Sequence, residues 1–275
     1  MISHPDQANR IDRRLAAAAT GRHGALLPYL TGGYPDLAAT AEWIRRFDRE
    51  EIAAVEIGFP YSDSIADGPV IQDSFNRARA GGLKVRELFD LVASVRAQVE
   101  VALIAMVSFS IVRRMGVAAF ARQAAESGFD GLIVPDVPYE EAAEVTDAAG
   151  GHGLRHVLLV APTTPPCRAE EIARRSGGFV YLVAGRGPTG ERDQLPDDLR
   201  TRVTHLRAVA HQPVCVGFGI SNAAQVRQVC ALADGAIIGS AIVRRITESL
   251  EAGKPRSTIV ERIEKFVEEL TEGIR

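Results

Sequence analysis

Two carboxylates stand out because of the segments that carry them. Glu56 lies in the otherwise apolar run 54–60, and Asp67 follows in the polar stretch that ends at Gly68-Pro69. Burying a carboxylate costs several kcal/mol, so an interior Glu usually has a partner or a function. Glu56 is therefore either held by a salt bridge or a general acid-base whose pKa is raised by apolar walls. Asp67 alone is typical of a turn-capping residue, but its place beside Glu56 makes it the candidate second carboxylate.

Two glycine-bearing segments indicate a phosphate site. Gly217-Phe218-Gly219 ends one apolar run, and Gly239-Ser240 follows the next. Glycines at such ends let backbone N–H groups approach a phosphate without an intervening Cβ, and a following helix N-terminus adds a favourable dipole. One Gly-x-Gly is weak evidence, whereas two glycine clusters at the ends of consecutive runs predict a phosphate site between them.

A third glycine cluster, 185–190, follows another apolar run. Its composition is consistent with a mobile lid that closes over a bound phosphate ester. The alternative is a plain exposed connection between two elements.

The elements that must position these residues follow a regular alternation. Eight apolar runs lack polar alternation, as expected for strands buried on both faces of a parallel sheet. They cover residues 25–31, 54–60, 101–107, 131–138, 155–162, 179–185, 213–219 and 235–243. Stretches with helical periodicity separate or follow them, at 37–49, 85–99, 117–127, 140–149, 168–175, 199–210, 223–232 and 257–272. Asp36, Ser221 and Asn222 each precede a helical pattern, as N-caps do.

Eight strand–helix units predict a (β/α)8 barrel, a TIM barrel, rather than a doubly wound sheet with five or six units. We expect one domain over residues 1–275, with 1–20 as a short N-terminal helical extension. The stretch 61–83 is the one long irregular connection that the pattern predicts, and connections of that length are usually functional. In this fold functional groups gather at the C-terminal ends of the strands.

Composition narrows the class of function. Hydrophobic residues make up 46% of the 275 residues, charged residues 24%, and the net charge is −3. There is no basic field to bind nucleic acid and no apolar run long enough for a membrane span. The three cysteines and six scattered histidines show no metal-ligand spacing. We therefore expect a cytoplasmic enzyme or subunit that uses neither a metal nor a His-based triad.

The sequence resembles the tryptophan synthase alpha chain family over nearly its whole length. The most specific segment reads Val-Glu-Ile-Gly-x-Pro-x-Ser-Asp-x-x-Ala-Asp-Gly-Pro-x-Ile-Gln and begins at Val55. Further similar segments are 28–36, 134–138, 161–164 and 217–221. The resemblance implies retro-aldol cleavage of indole-3-glycerol phosphate to indole and glyceraldehyde 3-phosphate.

The resemblance also implies roles for individual residues. Glu56 matches the acid-base that acts on indole C3 and the glycerol hydroxyl, and Asp67 the carboxylate that pairs with the indole N–H. The substrate-contacting positions it implies are Tyr29, Tyr181, Thr189, Gly190, Phe218, Gly219, Gly239 and Ser240. Asp63 and Ser64 match a surface that contacts the family's partner, a pyridoxal-phosphate beta subunit in an αββα heterotetramer. No cofactor is implied for this chain itself.

Three departures from the family pattern leave alternatives open. The lid reads Ala-Gly-Arg-Gly-Pro-Thr-Gly over 184–190, without the family's Ser and Arg positions; Ser64 replaces a Pro; and 108–111 replaces Tyr-Tyr-Asn-Pro. One alternative is a weakly active or non-catalytic subunit that docks on and activates a beta chain. The other is an autonomous lyase that needs no partner.

Overall fold

Eight parallel strands close into a barrel in sequence order in the computed structural model, as the alternation predicted. The structure describes residues 9–21, 24–62, 64, 67–185, 195–217 and 219–274. The strands are β1 Ala25–Thr31, β2 Ala54–Gly58, β3 Ala102–Met106, β4 Gly131–Ile133, β5 Arg155–Val160, β6 Val180–Val183, β7 Val214–Gly217 and β8 Gly235–Ile238. The (β/α)8 fold class is confirmed.

Within those residues there are twelve helices. They are α1 Arg10–Gly21, α2 Leu37–Arg46, α3 Pro69–Ala80, α4 Val85–Arg96, α5 Phe109–Met115, α6 Val117–Ser127, α7 Ala142–Gly151, α8 Pro166–Arg175, α9 Leu199–Val209, α10 Ala223–Cys230, α11 Ser240–Glu251 and α12 Arg256–Thr271. Asp36 and Asn222 cap α2 and α10 through their side chains, whereas Ser221 precedes the cap and is not one. None of these helices combines the length and apolar character that a membrane crossing requires.

Most of the strands predicted from the sequence extend beyond the ends that the structure shows. The run 131–138 is a strand only over Gly131–Ile133, because Val137 N donates to Val134 O in a turn and prolines follow β4. Residues 240–243, assigned to the last run, instead start α11. After β8 the apolar composition continues because the start of α11 is buried, whereas after β4 only Val134 is buried and residues 135, 136 and 138 are exposed.

The prediction of an irregular stretch over 61–83 is wrong. Pro69–Ala80 forms α3, with Pro at its first position and Gly68 as its N-cap. It buries Ile71 and Phe75 and packs against α11 and β1. Half of its residues are polar and Gly68-Pro69 and Gly81-Gly82 at its ends favour turns, which concealed the narrow apolar stripe.

The barrel is plugged at the end where the strands begin. Inward-facing side chains such as Leu27, Ile104 and Ile237 form one buried cluster with Ile11 and Leu15 of α1. Because α1 packs over this end, we expect a substrate to enter at the opposite end, which we call the C-terminal face.

Strand β2 is held in register by its outward-facing side chains. Val55, Ile57 and Phe59 are buried in the layer between strands and helices. The Phe59 ring lies 5.4 Å from Phe89 and 6.0 Å from Phe120, centroid to centroid. Since side chains alternate along a strand, this packing directs Glu56 into the barrel.

Candidate active site

Glu56 lies inside the barrel without a polar partner. It pairs in register with Tyr29 of β1 and Ile104 of β3, and only 1% of its surface is exposed. Neither carboxyl oxygen has a hydrogen-bond partner among the described residues. The salt bridge considered as an alternative is therefore absent from that part of the chain. Burial raises the pKa of Glu56 to about 8, so the carboxyl group holds its proton at neutral pH.

This raised pKa makes the stability of the protein depend on pH. Between about pH 4.5 and 8 the folded state keeps a proton that unfolded Glu56 releases. The free energy of unfolding therefore falls by about 1.4 kcal/mol per pH unit as the pH rises through this window. We expect Glu56→Gln to be more stable than the unchanged protein by roughly 3–5 kcal/mol at pH 8.5 and little different at pH 4.5. Urea unfolding at the two pH values measures this, and an equal difference at both would contradict it.

Two tyrosines occupy space that strand glycines leave open. A Cβ on Gly58 would lie 2.1 Å from the Tyr29 hydroxyl, and one on Gly217 would lie 2.7 Å from the Tyr181 hydroxyl. Any larger residue at position 58 or 217 would clash with a phenol, so both positions require glycine. Gly217, which belongs to the predicted phosphate cluster, also makes room for Tyr181.

The same tyrosines connect the two carboxylates electrostatically. Burial raises the pKa of Tyr29 and of Tyr181, and the negative charges of Asp67 and Glu56 raise both further. Glu56 and Asp67 therefore both act electrostatically on Tyr29 and on Tyr181. The phenols stay protonated and can donate hydrogen bonds to a bound ligand.

Asp67 is held by the connection between β2 and α3. Its Oδ2 accepts a hydrogen bond from the Tyr61 hydroxyl at 3.2 Å, and its backbone N–H donates to Ser64 O at 3.0 Å. Gln72 of α3 donates to the backbone oxygens of both Asp67 and Ser64, at 2.7 and 3.0 Å. Burial raises the pKa of Asp67 to about 6, Tyr61 lowers it, and the charge of Asp136 raises it.

Asp136, which follows β4, organises the neighbouring connection. Its two carboxyl oxygens accept from the Ser108 hydroxyl and the Phe109 N–H, each at 2.7 Å. Ser108 in turn caps α5. The segment that departs from the family pattern is thus anchored through Asp136. Sequence reasoning assigned no site role to Tyr61, Gln72 or Asp136, although Gln72 ends the specific motif.

The predicted phosphate residues lie at the expected strand ends. Gly219 has a φ of +81°, a left-handed conformation that glycine adopts without strain. Gly239 is the N-cap of α11, and Ser240, its first residue, is buried. The N-terminus of α11 therefore follows β8 directly at the C-terminal face, where its dipole favours an anion.

Of the remaining predicted residues, one is described by the structure and four are not. Ser64, expected at a partner surface, is only 6% exposed in this chain. Asp63, Thr189, Gly190 and Phe218 lie outside the described residues, as does most of the expected lid. Within the described residues no group of three His, Cys, Asp or Glu side chains could hold a metal ion.

Comparison with known proteins identifies the family. The sequence model of the tryptophan synthase alpha chain matches residues 15–275. The tryptophan synthase alpha chain of Gloeobacter violaceus is 44% identical over 86% of each chain, and that of Geobacter sp. strain M21 is 37% identical over 97% of this chain and 98% of its own.

Solved structures agree with the sequence relatives. A Mycobacterium tuberculosis tryptophan synthase chain superposes with a TM-score of 0.86 at 34% identity, covering 98% of this chain and 99% of its own. A mutant tryptophan synthase alpha-subunit from Pyrococcus furiosus gives 0.82 at 36% identity, over 91% of this chain and 99% of its own. With its barrel, its inward Glu56 and these relatives together, the chain belongs to the tryptophan synthase alpha chain family.

Proposed function

We propose that Glu56 and Asp67 together carry out the retro-aldol cleavage of indole-3-glycerol phosphate to indole and glyceraldehyde 3-phosphate. As a member of its family the chain is a carbon–carbon lyase of tryptophan biosynthesis. The observation that supports the residue roles best is the isolation of Glu56, a buried carboxyl group on a barrel strand without a polar partner among the described residues.

The reaction requires two proton transfers and a negative group that stabilises the positive charge formed on the indole ring. Protonated Glu56 gives its proton to indole C3, which leaves a positive iminium on the ring nitrogen. The Glu56 carboxylate then removes the proton of the glycerol hydroxyl next to the scissile bond. That bond breaks, its electron pair returns to the ring, and indole and the aldehyde result. Asp67, as a carboxylate near the ring N–H, stabilises the iminium charge.

The pKa values support this division of roles. At pH 7 a group with a pKa of about 8 is mostly protonated and one with a pKa of about 6 is mostly ionised. Two carboxyl groups whose environments separate their pKa values can act as acid and as anion at the same pH. The proton therefore starts on Glu56 and the negative charge on Asp67.

The remaining contacts position the substrate. Tyr29 and Tyr181 form aromatic walls near Glu56, and Phe218 is proposed as a further aromatic contact. Gly219, Gly239 and Ser240 are proposed to bind the phosphate at the start of α11. Thr189 and Gly190 complete this proposed set.

The proposed partner is a tryptophan synthase beta subunit, in an αββα heterotetramer in the cytoplasm, with contacts at Asp63 and Ser64. The names of the relatives support a partner of this kind. Pyridoxal phosphate is assigned to that partner, and the cleavage written above uses only side chains of this chain.

An assay of indole release tests the proposed activity. Purified chain is incubated with indole-3-glycerol phosphate, and indole and glyceraldehyde 3-phosphate are measured with and without a beta subunit. Equimolar formation of both products is the expected result. Failure to form indole in either condition contradicts the activity, whereas indole formed only with the beta subunit shows that turnover depends on the partner.

The phosphate contacts give a separate prediction. Gly219 has a positive φ, so Gly219→Val introduces backbone strain and a branched side chain where the phosphate is proposed to bind. We expect KM for indole-3-glycerol phosphate to rise at least about tenfold, which corresponds to ~1.4 kcal/mol of lost binding. Gly253→Val, also at a positive φ but with open space around it, is the matched control. An unchanged KM in Gly219→Val places the phosphate elsewhere.

A further inference from the structure

The carboxyl group of Asp67 is held on one side by a phenol. The Tyr61 hydroxyl donates to Asp67 Oδ2 at 3.2 Å, across the connection between β2 and α3. Within the described part of the chain this is the one hydrogen bond to that carboxyl group, and Oδ1 accepts none. An ionised carboxylate can accept on both oxygens. One oxygen of Asp67 is therefore fixed by the protein, and the other is left for a ligand.

Helix α3 brings the two groups of this contact together. The Tyr61 ring is half-buried against the main core, and its centroid lies 5.4 Å from that of Phe75 on α3. Gln72, about one turn earlier on the same helix, donates to the backbone oxygens of Asp67 and Ser64 at 2.7 and 3.0 Å. Because α3 contacts both the ring of Tyr61 and the main chain of Asp67, the hydroxyl and the carboxyl group meet in a defined geometry.

Tyr61 is also the group that favours the charge on Asp67. Burial raises the pKa of Asp67 and the charge of Asp136 raises it further, whereas the hydrogen bond from Tyr61 alone, among the described groups, lowers it. Burial also raises the pKa of Tyr61, and the charges of Asp67 and Asp136 raise it further. The phenol therefore keeps its proton at neutral pH. A hydrogen bond from such a donor to a carboxylate stabilises the ionised form.

The other titratable groups around Asp67 lie on four strands or at their ends. Burial raises the pKa of Tyr29 on β1 and of Tyr181 on β6 well above the usual value, and Asp67 and Glu56 raise both further. Glu56 on β2, with a pKa of about 8, keeps its proton at neutral pH. Asp136, after β4, is the one further carboxylate that acts on Asp67 in the described chain. The tyrosines and Glu56 therefore stay protonated over the range in which Asp67 titrates.

We propose that Tyr61 is a positioning residue for the lyase reaction: its hydroxyl holds Oδ2 of Asp67, favours the ionised carboxylate and leaves Oδ1 for the ring N–H of the substrate. Tyr61 acts through Asp67, so this role depends on the one proposed for Asp67 above. Tyrosine suits the task because it has a single O–H to donate. Its ring already packs on Phe75, so it loses little conformational freedom when the hydrogen bond forms.

The variant Tyr61→Phe tests this role in the rate of indole release by the full chain. It keeps the ring on Phe75 and removes the hydroxyl. We expect the acidic limb of kcat/KM to move to higher pH by about 0.5–1 unit, because the ionised form of Asp67 loses its hydrogen bond. We expect kcat at the optimal pH to fall roughly three- to tenfold, because the released carboxylate no longer keeps one orientation. Asp136→Asn should move the same limb in the opposite direction.

The matched control, Tyr34→Phe, removes the hydroxyl of another tyrosine. The Tyr34 ring is buried, and its hydroxyl lies 2.8 Å from the hydroxyl of Thr247 on α11. This variant therefore loses a hydrogen bond of the same kind to a different element, and its acidic limb should stay at the pH of the unchanged chain. A limb that moves equally in Tyr34→Phe and Tyr61→Phe would reflect a general change in the fold and would overturn the proposal.

A titration without substrate separates this role from the lyase activity. Carbon-13 NMR of the chain labelled at the aspartate Cγ follows the ionisation of each carboxyl group, and the Asp67 signal is the one missing in Asp67→Asn. We expect its midpoint near pH 6 in the unchanged chain and about 0.5–1 unit higher in Tyr61→Phe. A midpoint that stays or falls in Tyr61→Phe overturns the proposal even if the chain is active. A midpoint that rises in a chain that forms no indole supports the contact and contradicts the proposed lyase function.

Discussion

Replacing Glu56 by glutamine is expected to lower the turnover number for indole release by ~10²- to 10⁴-fold, the usual contribution of a general acid-base. Glutamine keeps the size of the side chain but can neither give a proton to indole C3 nor take one from the glycerol hydroxyl. Because Glu56 is buried and its carboxyl oxygens have no hydrogen-bond partner among the described residues, its replacement breaks no hydrogen bond there. The loss should therefore appear in kcat, with KM little changed.

The control for this experiment is a glutamate that the site does not use. Glu261 lies exposed on α12, far along the chain from the barrel mouth, so Glu261→Gln should leave kcat unchanged. If Glu56→Gln leaves kcat unchanged, Glu56 has a structural role and is not the acid-base. A variant that loses activity together with its circular dichroism spectrum calls for the milder Glu56→Asp, which keeps the carboxyl group but shortens its reach.

The second large effect concerns the dependence of the rate on pH. We expect kcat/KM to follow a bell with limbs near pH 6 and pH 8, since Asp67 must be ionised and Glu56 protonated in the free enzyme. Below about pH 6 Asp67 gains a proton and the iminium loses its counter-charge. Above about pH 8 Glu56 loses the proton that C3 needs. Asp67→Asn should lower kcat/KM by ~10²- to 10³-fold and remove the acidic limb.

A neighbouring variant serves as the control for assigning the acidic limb. The charge of Asp136 raises the pKa of Asp67, so Asp136→Asn should move that limb to lower pH without removing it. An acidic limb that remains at the same pH in both Asp67→Asn and Asp136→Asn would belong to another group. The interpretation of Asp67 as the ionised partner would then be wrong.

The barrel could be predicted because its signal is repeated. Eight apolar runs, each buried on both faces, indicate a closed parallel sheet whatever the exact end of each strand. The ends themselves were predicted too late at β4 and β8, since apolar composition does not distinguish a strand from a turn or from a buried helix start. Helix α3 escaped prediction because only a narrow stripe, including Ile71 and Phe75, is buried.

The candidate site could be predicted from the sequence where a single residue differs in polarity from its neighbours along the chain. Glu56 is conspicuous because a carboxyl group in an apolar strand is costly, and the structure places it inside the barrel. Contacts between distant segments carry no such signal. The space that Gly58 leaves for Tyr29, and the Asp136 charge that acts on Asp67, arise only when neighbouring strands come together.

The central claim is that this chain cleaves its substrate with Glu56, and a single-turnover experiment tests it most directly. Purified chain in excess over indole-3-glycerol phosphate is mixed rapidly, and indole is measured over time for the unchanged protein and for Glu56→Gln. We predict that the unchanged protein converts the bound substrate fully to indole, at least ~10² times faster than the variant. Indole formation at the same rate in both proteins would contradict the account.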